Sequence, residues 1–139
     1  MVGDLVRANK LITKLKEEAS YVFYPRIDGK ADWKLVVLSD ASFGNLGVSS
    51  CGGHIIVLMG EGNKCCVLGW SSGKIKRVVK STLAAEMLSM CEGLDHAIYL
   101  KHVIKELIPK TKEIEIVAVV DSKSVVDAVF STKSVDEKR

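Results

Sequence analysis

No apolar run in this chain of 139 residues is long enough to span a bilayer. Its polar, charged N-terminus does not read as a signal peptide, so no membrane partner is expected. A strong charge of either sign is also lacking. The net charge of +3 permits contact with a polyanion without arguing for one, and its distribution matters more than its sum. Only four cysteines occur, Cys51, Cys65, Cys66 and Cys91, and no pair has CxxC spacing. Adjacent Cys65 and Cys66 would point to opposite faces of a strand and could not share one ligand site. Structural zinc is therefore not expected, and all four read as reduced thiols of an intracellular protein. Proline is scarce. Pro25 ends a short run at residues 21–24 that reads as a strand, and Pro109 stops the long helical region before it. What remains is ordinary: 47% hydrophobic and 27% charged residues predict one globular domain with its own core and exclude a disordered chain.

Three acids carry the chemistry. The apolar stretch Trp33-Lys34-Leu35-Val36-Val37-Leu38 runs into Ser39-Asp40, and its branched residues predict a strand buried on both faces. A carboxylate in such a strand needs a cation, a metal or a hydrogen-bond donor, because burying it unpaired is costly. Asp40 taken alone could equally cap the next turn. A second β-branched run, residues 114–120, also ends in an acid, Asp121, followed by hydroxyls that can cap a helix. Between the two runs, Ser81 or Thr82 can cap a helix whose early turn holds Glu86 among small and apolar residues. If the two strands are parallel neighbours, their Asp residues meet, and the Glu86 helix can cover that edge. Three oxygen ligands at one point suit Mg²⁺ or Mn²⁺ far better than zinc.

Asp40-Ala41-Ser42-Phe43-Gly44-Asn45, Ser81-Thr82-Leu83-Ala84-Ala85-Glu86 and Val120-Asp121-Ser122-Lys123-Ser124, in that order, resemble the three acidic motifs of a ribonuclease H domain. They are most similar in kind to the ribonuclease H of copia-type LTR retrotransposon Pol polyproteins. There a tryptophan and a serine–lysine stretch precede the glutamate helix, as Gly69-Trp70-Ser71-Ser72-Gly73-Lys74 and Arg77-Val78-Val79-Lys80-Ser81-Thr82 do here. The resemblance spans about residue 31 to the C-terminus, with a weaker match over residues 4–16. It implies hydrolysis of the RNA strand of an RNA–DNA hybrid during reverse transcription, using two Mg²⁺ or Mn²⁺ ions about 3.5–4 Å apart. Asp40 would bridge both ions, and Glu86 and Asp121 would complete the one on the leaving-group side. Gly44 and Asn45 occupy the place of a substrate-contacting loop and are candidates for reading the 2′-hydroxyl; Thr82, Ser122 and Lys123 are weaker candidates. The implied partner is a reverse transcriptase domain of the same polyprotein. The implied location is inside the cell, in the cytoplasm, a virus-like particle or the nucleus.

The rest of the chain fits around this frame. Residues 1–30 read as an N-terminal connection, containing a helix from Asp4 with Leu5, Ala8, Ile12 and Leu15 on one face and basic residues on the other. That helix either docks through its apolar side or touches nucleic acid through its basic side. Residues 31–139 read as an α/β domain of the ribonuclease H-like class: an antiparallel three-strand meander, a long helix over residues 82–107 with Leu83, Met87, Met90, Leu94, Ala97 and Ile98 facing the sheet, a parallel strand and a short helix. Lys74, Lys76 and Arg77 precede the Glu86 helix and form either a solvated loop or a set of phosphate contacts. His54 reads as a structural residue, and His96 and His102 lack the spacing of two ligands on one helix face. The family's fifth strand and last helix, with a fourth acid, are expected beyond Arg139, with Asp136 and Glu137 in the preceding loop. The chain alone is therefore expected to be a weak or inactive nuclease. Two other classes compete: a non-catalytic retroelement module binding nucleic acid or protein, and another nuclease of the same fold, such as an integrase or resolvase.

Overall fold

The computed structural model describes residues 2–17, 23–28, 32–44 and 49–131. Helix α1 (Val2–Glu17) precedes β1 (Lys34–Ser42), β2 (Cys51–Met59), β3 (Cys65–Lys74), α2 (Thr82–Leu107), β4 (Glu115–Val120) and α3 (Lys123–Phe130). The strands form one four-stranded sheet in the order β3-β2-β1-β4. Neighbours β1–β2 and β2–β3 are antiparallel, whereas β4 runs parallel to β1. This is the mixed sheet expected from the sequence, an antiparallel three-strand meander with a parallel strand added at one edge. A hairpin can join antiparallel strands, but a parallel return needs a long crossover, and α2 supplies it with 26 residues. The β2–β3 connection turns at Gly62, whose φ of 66° lies in the left-handed region that glycine enters without strain. Within β3, Gly69 faces Ile56 while Val67 faces Val57, so Leu68 is the extra residue of a β-bulge.

The core is built on one face of the sheet. Trp33, Leu35, Val37, Ile56, Leu58, Cys66, Ala97 and Ile114 form it, and each large aliphatic member contributes about 1.5–3 kcal/mol through burial. Cys65 is exposed and Cys66 buried, as opposite strand faces require. The expectation that β1 is buried on both faces is corrected. Its even-numbered residues Lys34, Leu38 and Asp40 are exposed. Leu38, its cross-strand partner Ile55, and Trp70 opposite Ile55 are 43, 46 and 72% exposed. Among the described residues α2 covers one side of the sheet only.

Of the α2 residues expected to face the sheet, Met90 and Ala97 are buried and Leu94 packs against the core, but the buried face is shifted towards small residues. Ala85, Glu86, Ser89, Met90, Gly93 and Ala97 are buried, while Ile98 is 46% exposed. Small side chains let the helix backbone approach the strands, so the stripe of large apolar residues is turned partly aside. Gly93 is the tightest point: a Cβ there would lie 2.6 Å from Val37 Cγ1 and 3.1 Å from His54 Cβ. Two further expectations change. In α1, Leu5 and Ile12 stay 66 and 49% exposed rather than docked; the Leu15 side chain lies outside the described residues. Tyr21 and Val22 are likewise outside them, and Phe23 and Tyr24 are irregular chain rather than strand. Helix α3 packs through Val125, but Val126 and Val129 remain 41 and 51% exposed.

The junction of α2 with β4 is closed by charge. Glu113 bonds Lys101 and Lys105, and the two ammonium groups hold its carboxyl at about 2. These pairs are exposed and screened, so packing rather than charge sets the helix position. Gly93→Ala should accordingly destabilise the fold. The helix-propensity gain is about 1 kcal/mol, but overlap with the stiff, buried Val37 costs about 1–3 kcal/mol, and a net loss is expected in urea unfolding. Gly73→Ala, with nothing within 4 Å of its Cβ position, is the neutral control.

Candidate metal centre

Register brings the first two acids together. Ser39 pairs with Val120 in the parallel β1–β4 ladder, so one step further along both strands places Asp40 beside Asp121 at their C-terminal ends. Glu86 arrives from α2. Ser81 caps that helix, its Oγ accepting from the Ala84 N–H at 3.1 Å, which fixes where the first turn begins and hence where Glu86 projects. One carboxylate oxygen from each of Asp40, Glu86 and Asp121 lies within 4.8 Å of the others. Asp40 and Asp121 are exposed, while Glu86 is only 5% exposed.

The electrostatics are unfavourable as they stand. Glu86 Oε2 is buried and has no hydrogen-bond partner. Burial first, then the charges of Asp40 and Asp121, push the Glu86 carboxyl above its ordinary value of 4.5, partly opposed by a hydrogen bond from the Ala41 backbone. Hard divalent cations take such oxygen-only donor sets. A buried carboxylate with one orphaned oxygen, gathered with two further carboxylates, therefore fits Mg²⁺ or Mn²⁺ and does not fit a thiophilic ion.

Ser89, one turn beyond Glu86, is absent from the residues expected at this site. It is 2% exposed. Its Oγ accepts from the Gly53 N–H at 3.1 Å and lies 2.9 Å from two carbonyl oxygens, those of Asp40 and Gly53. The single hydroxyl proton can serve either carbonyl, so Ser89 ties α2 to both β1 and β2 at the acidic end of the sheet. The legible signal was the small-residue stripe Ala85, Ser89, Gly93, Ala97 at four-residue spacing. Gly52 makes room for it, since a Cβ there would meet Ser89 Cβ and Oγ at 3.1 Å.

The other residues singled out from sequence are more dispersed. Gly44 follows β1 with φ 71°, its N–H donating to Ser50 Oγ at 3.3 Å; Asn45 lies outside the described residues. Thr82 is exposed at the start of α2, and Lys123 is exposed at the start of α3. Ser122 Oγ pairs with Ser124 Oγ at 2.8 Å. Lys74 ends β3, and Lys76 and Arg77 continue into the exposed approach to α2. Lys74 and Lys76 line a groove with Glu92, Gly52, Ser71 and Gly73. Asp40 opens onto a different hollow of about 490 Å³, floored by Leu38, Ile55 and Trp70. His54 is buried, as expected of a structural residue, but it is paired with His96 at 3.2 Å, a contact that the sequence spacing did not reveal. Asp136 and Glu137 lie outside the described residues, and among the described residues no fourth acid joins the three.

Neither protein-family models nor curated proteins give a match to the chain. Among solved structures, LC11-RNase H1, isolated from compost by a metagenomic approach, is similar over 75% of this chain at 18% identity and a TM-score of 0.49. The chain spans 65% of that structure's length.

Because the raised Glu86 pKa favours the protonated acid in the folded state, the ion-free protein loses stability as pH rises from 4.5 through the raised value. In chelator at pH 7.5, Glu86→Gln should melt above the wild type, relieving about 1–3 kcal/mol of unsatisfied burial. That gap should close towards pH 4.5. Saturating Mn²⁺ should raise the wild-type melting temperature and leave Glu86→Gln nearly unmoved. A wild type that melts above the variant in chelator at pH 7.5 would contradict an unpaired carboxylate.

Proposed function

We propose that this protein is a ribonuclease H-type endonuclease that hydrolyses the RNA strand of RNA–DNA hybrids with divalent ions held by Asp40, Glu86 and Asp121. The observation that carries the reading is the convergence of those three carboxylates from β1, α2 and β4, with one Glu86 oxygen buried and unsatisfied. Bound Mg²⁺ or Mn²⁺, two ions in this reading, would supply Lewis-acid stabilisation of the phosphate charge and a water of lowered pKa. The chain's own residues do the positioning. Asp40 and Asp121 are held side by side by the parallel register, and Ser89 fixes the Asp40 backbone against α2, so little reorganisation is left for the moment of reaction. Lys74, Lys76 and Arg77 offer sequence-independent contacts to phosphates. Gly44, Asn45, Thr82, Ser122 and Lys123 are the assigned candidates for the substrate strand and its 2′-hydroxyls.

In the finer form of the proposal the chain is the ribonuclease H segment of a copia-type retrotransposon Pol polyprotein, working beside its reverse transcriptase domain inside the cell during reverse transcription. Residues 1–30 are then the connection and residues 31–139 the nuclease domain. What supports this is the order of the three acidic motifs together with the Gly69–Lys74 and Arg77–Thr82 stretches.

A labelled hybrid incubated with Mg²⁺ or Mn²⁺ tests the activity. Weak RNA-strand cleavage is expected, since among the described residues no fourth acid joins the three, with duplex DNA left intact. Asp40→Asn should lower kcat at least about 100-fold further, or about 2.7 kcal/mol of transition-state stabilisation. Mn²⁺ binding without cleavage of any hybrid would instead favour the non-catalytic module, and cleavage of duplex DNA would favour an integrase-like nuclease. Replacing Lys74, Lys76 and Arg77 together by Ala should weaken hybrid binding uniformly across sequences. The slope of log affinity against log salt should fall by up to about 3, roughly one for each phosphate no longer neutralised; an unchanged slope would place these side chains off the substrate.

A further inference from the structure

We propose that Ser39 is a positioning residue of the acidic centre, its hydroxyl serving as the donor that Glu86 Oε2 lacks when the ion site is filled. Ser39 Oγ and Glu86 Oε2 are the two buried side-chain polar atoms without a hydrogen-bond partner among the described residues. Ser39 is 7% exposed and Glu86 5%. Both lie in the seam between β1 and α2. Leu35, Val37 and Ser39 alternate onto the buried side of β1, and α2 crosses the same stretch. A Cβ on Gly93 would meet Val37 Cγ1 at 2.6 Å, Ser89 Oγ lies 2.9 Å from the Asp40 carbonyl oxygen, and Glu86 accepts from the Ala41 backbone. Successive turns of the helix thus touch β1 at residues 37, 40 and 41, and Ser39 lies between the first of these contacts and the last.

A buried hydroxyl and a buried carboxylate oxygen are each costly to leave unpaired. Each is what the other needs, since the hydroxyl donates and an ionised carboxylate only accepts. Ala41 stands two residues from Ser39, about 6.5 Å along a strand. The hydroxyl therefore reaches the carboxylate by a change of χ1 rotamer or through one buried water. Other groups nearby are committed or misplaced. Ser89 Oγ already serves the Gly53 N–H and two carbonyls, the Ala41 N–H is in use, and Thr82 is exposed. Hydrogen bonds to a ligating carboxylate from behind orient it and strengthen its hold on the ion. Ser39 and Asp40 point to opposite sides of β1, so adjacent residues serve the site differently: Asp40 as a ligand, Ser39 by holding Glu86. Ser39 touches neither ion nor substrate, and its role rests on the metal-centre reading above.

Calorimetric titration of the full chain with Mn²⁺, together with melting curves in chelator and in Mn²⁺, tests this role. Ser39→Ala should weaken Mn²⁺ binding about 10–100-fold, as loss of a ligand's supporting hydrogen bond does. In chelator the same variant should melt at or above the wild type, because a partnerless buried hydroxyl has been removed. At a Mn²⁺ concentration that saturates the wild type it should melt below it. That reversal separates Ser39 from Ser89, whose hydroxyl is already bonded in the ion-free fold. Ser89→Ala should melt below the wild type under both conditions. A Ser39→Ala variant that binds Mn²⁺ as the wild type does, or that melts as far below it in chelator as in Mn²⁺, would overturn the proposal and leave the ion site standing. A wild type that binds no Mn²⁺ would overturn the ion site and this role together.

Discussion

The close approach of α2 to the sheet is the constraint on which the other features depend. It is set where the helix carries almost no side chain: Gly93 lies against Val37 and His54, and Ser89 fits above Gly52. At that distance the Ser89 hydroxyl reaches the backbone of both Asp40 and Gly53, and Glu86 reaches the two strand-end acids. A helix held off by larger side chains would keep the same elements and the same sheet order yet leave Glu86 short of Asp40 and Asp121. Packing of small residues, not the sum of apolar area, therefore decides whether there is a site at all.

That packing concentrates negative charge where a backbone hydrogen bond from Ala41 compensates Glu86 only in part. Exposure lets water relieve Asp40 and Asp121, but Glu86 is enclosed and carries the cost. Local destabilisation of this kind is characteristic of positions kept for binding or chemistry rather than for stability. The fold tolerates it because the core around Leu35, Val37, Ile56 and Ile114 lies elsewhere on the same sheet face and is wholly apolar. The histidine pair is a second polar insertion in the same helix–sheet seam. It is less costly, because two neutral rings can satisfy one another where three carboxylates cannot.

The opposite face of the sheet has a different character. Leu38, Ile55, Trp70 and Val119 lie in register across four strands and are all substantially exposed. Continuous apolar surface of this kind on a sheet is uncommon on an isolated domain. It explains why the run from Trp33 to Leu38 looks suited to burial on both sides while α2 covers only one.

Much of this was legible along the chain. Local signals (β-branched runs, the hydroxyl before the long helix, the Gly-rich turn, the proline after it) specify where strands and helices fall, because each depends on neighbours in sequence. The order of the acids, two closing strands and one opening a helix, already indicated a hard-cation site, since donor chemistry is a property of residue type. What residue order alone could not decide was anything set by contact between distant segments. Which face of α2 turns inward follows from how near the backbone can come, and there small residues mark the buried side together with Met90. The Ser89 tie to two strands and the meeting of His54 with His96, 42 residues away, exist only once α2 lies across the sheet. The identity of the donors was written in the sequence, but their convergence, and the raised pKa of Glu86 that follows from it, arise from distances that only the tertiary structure sets.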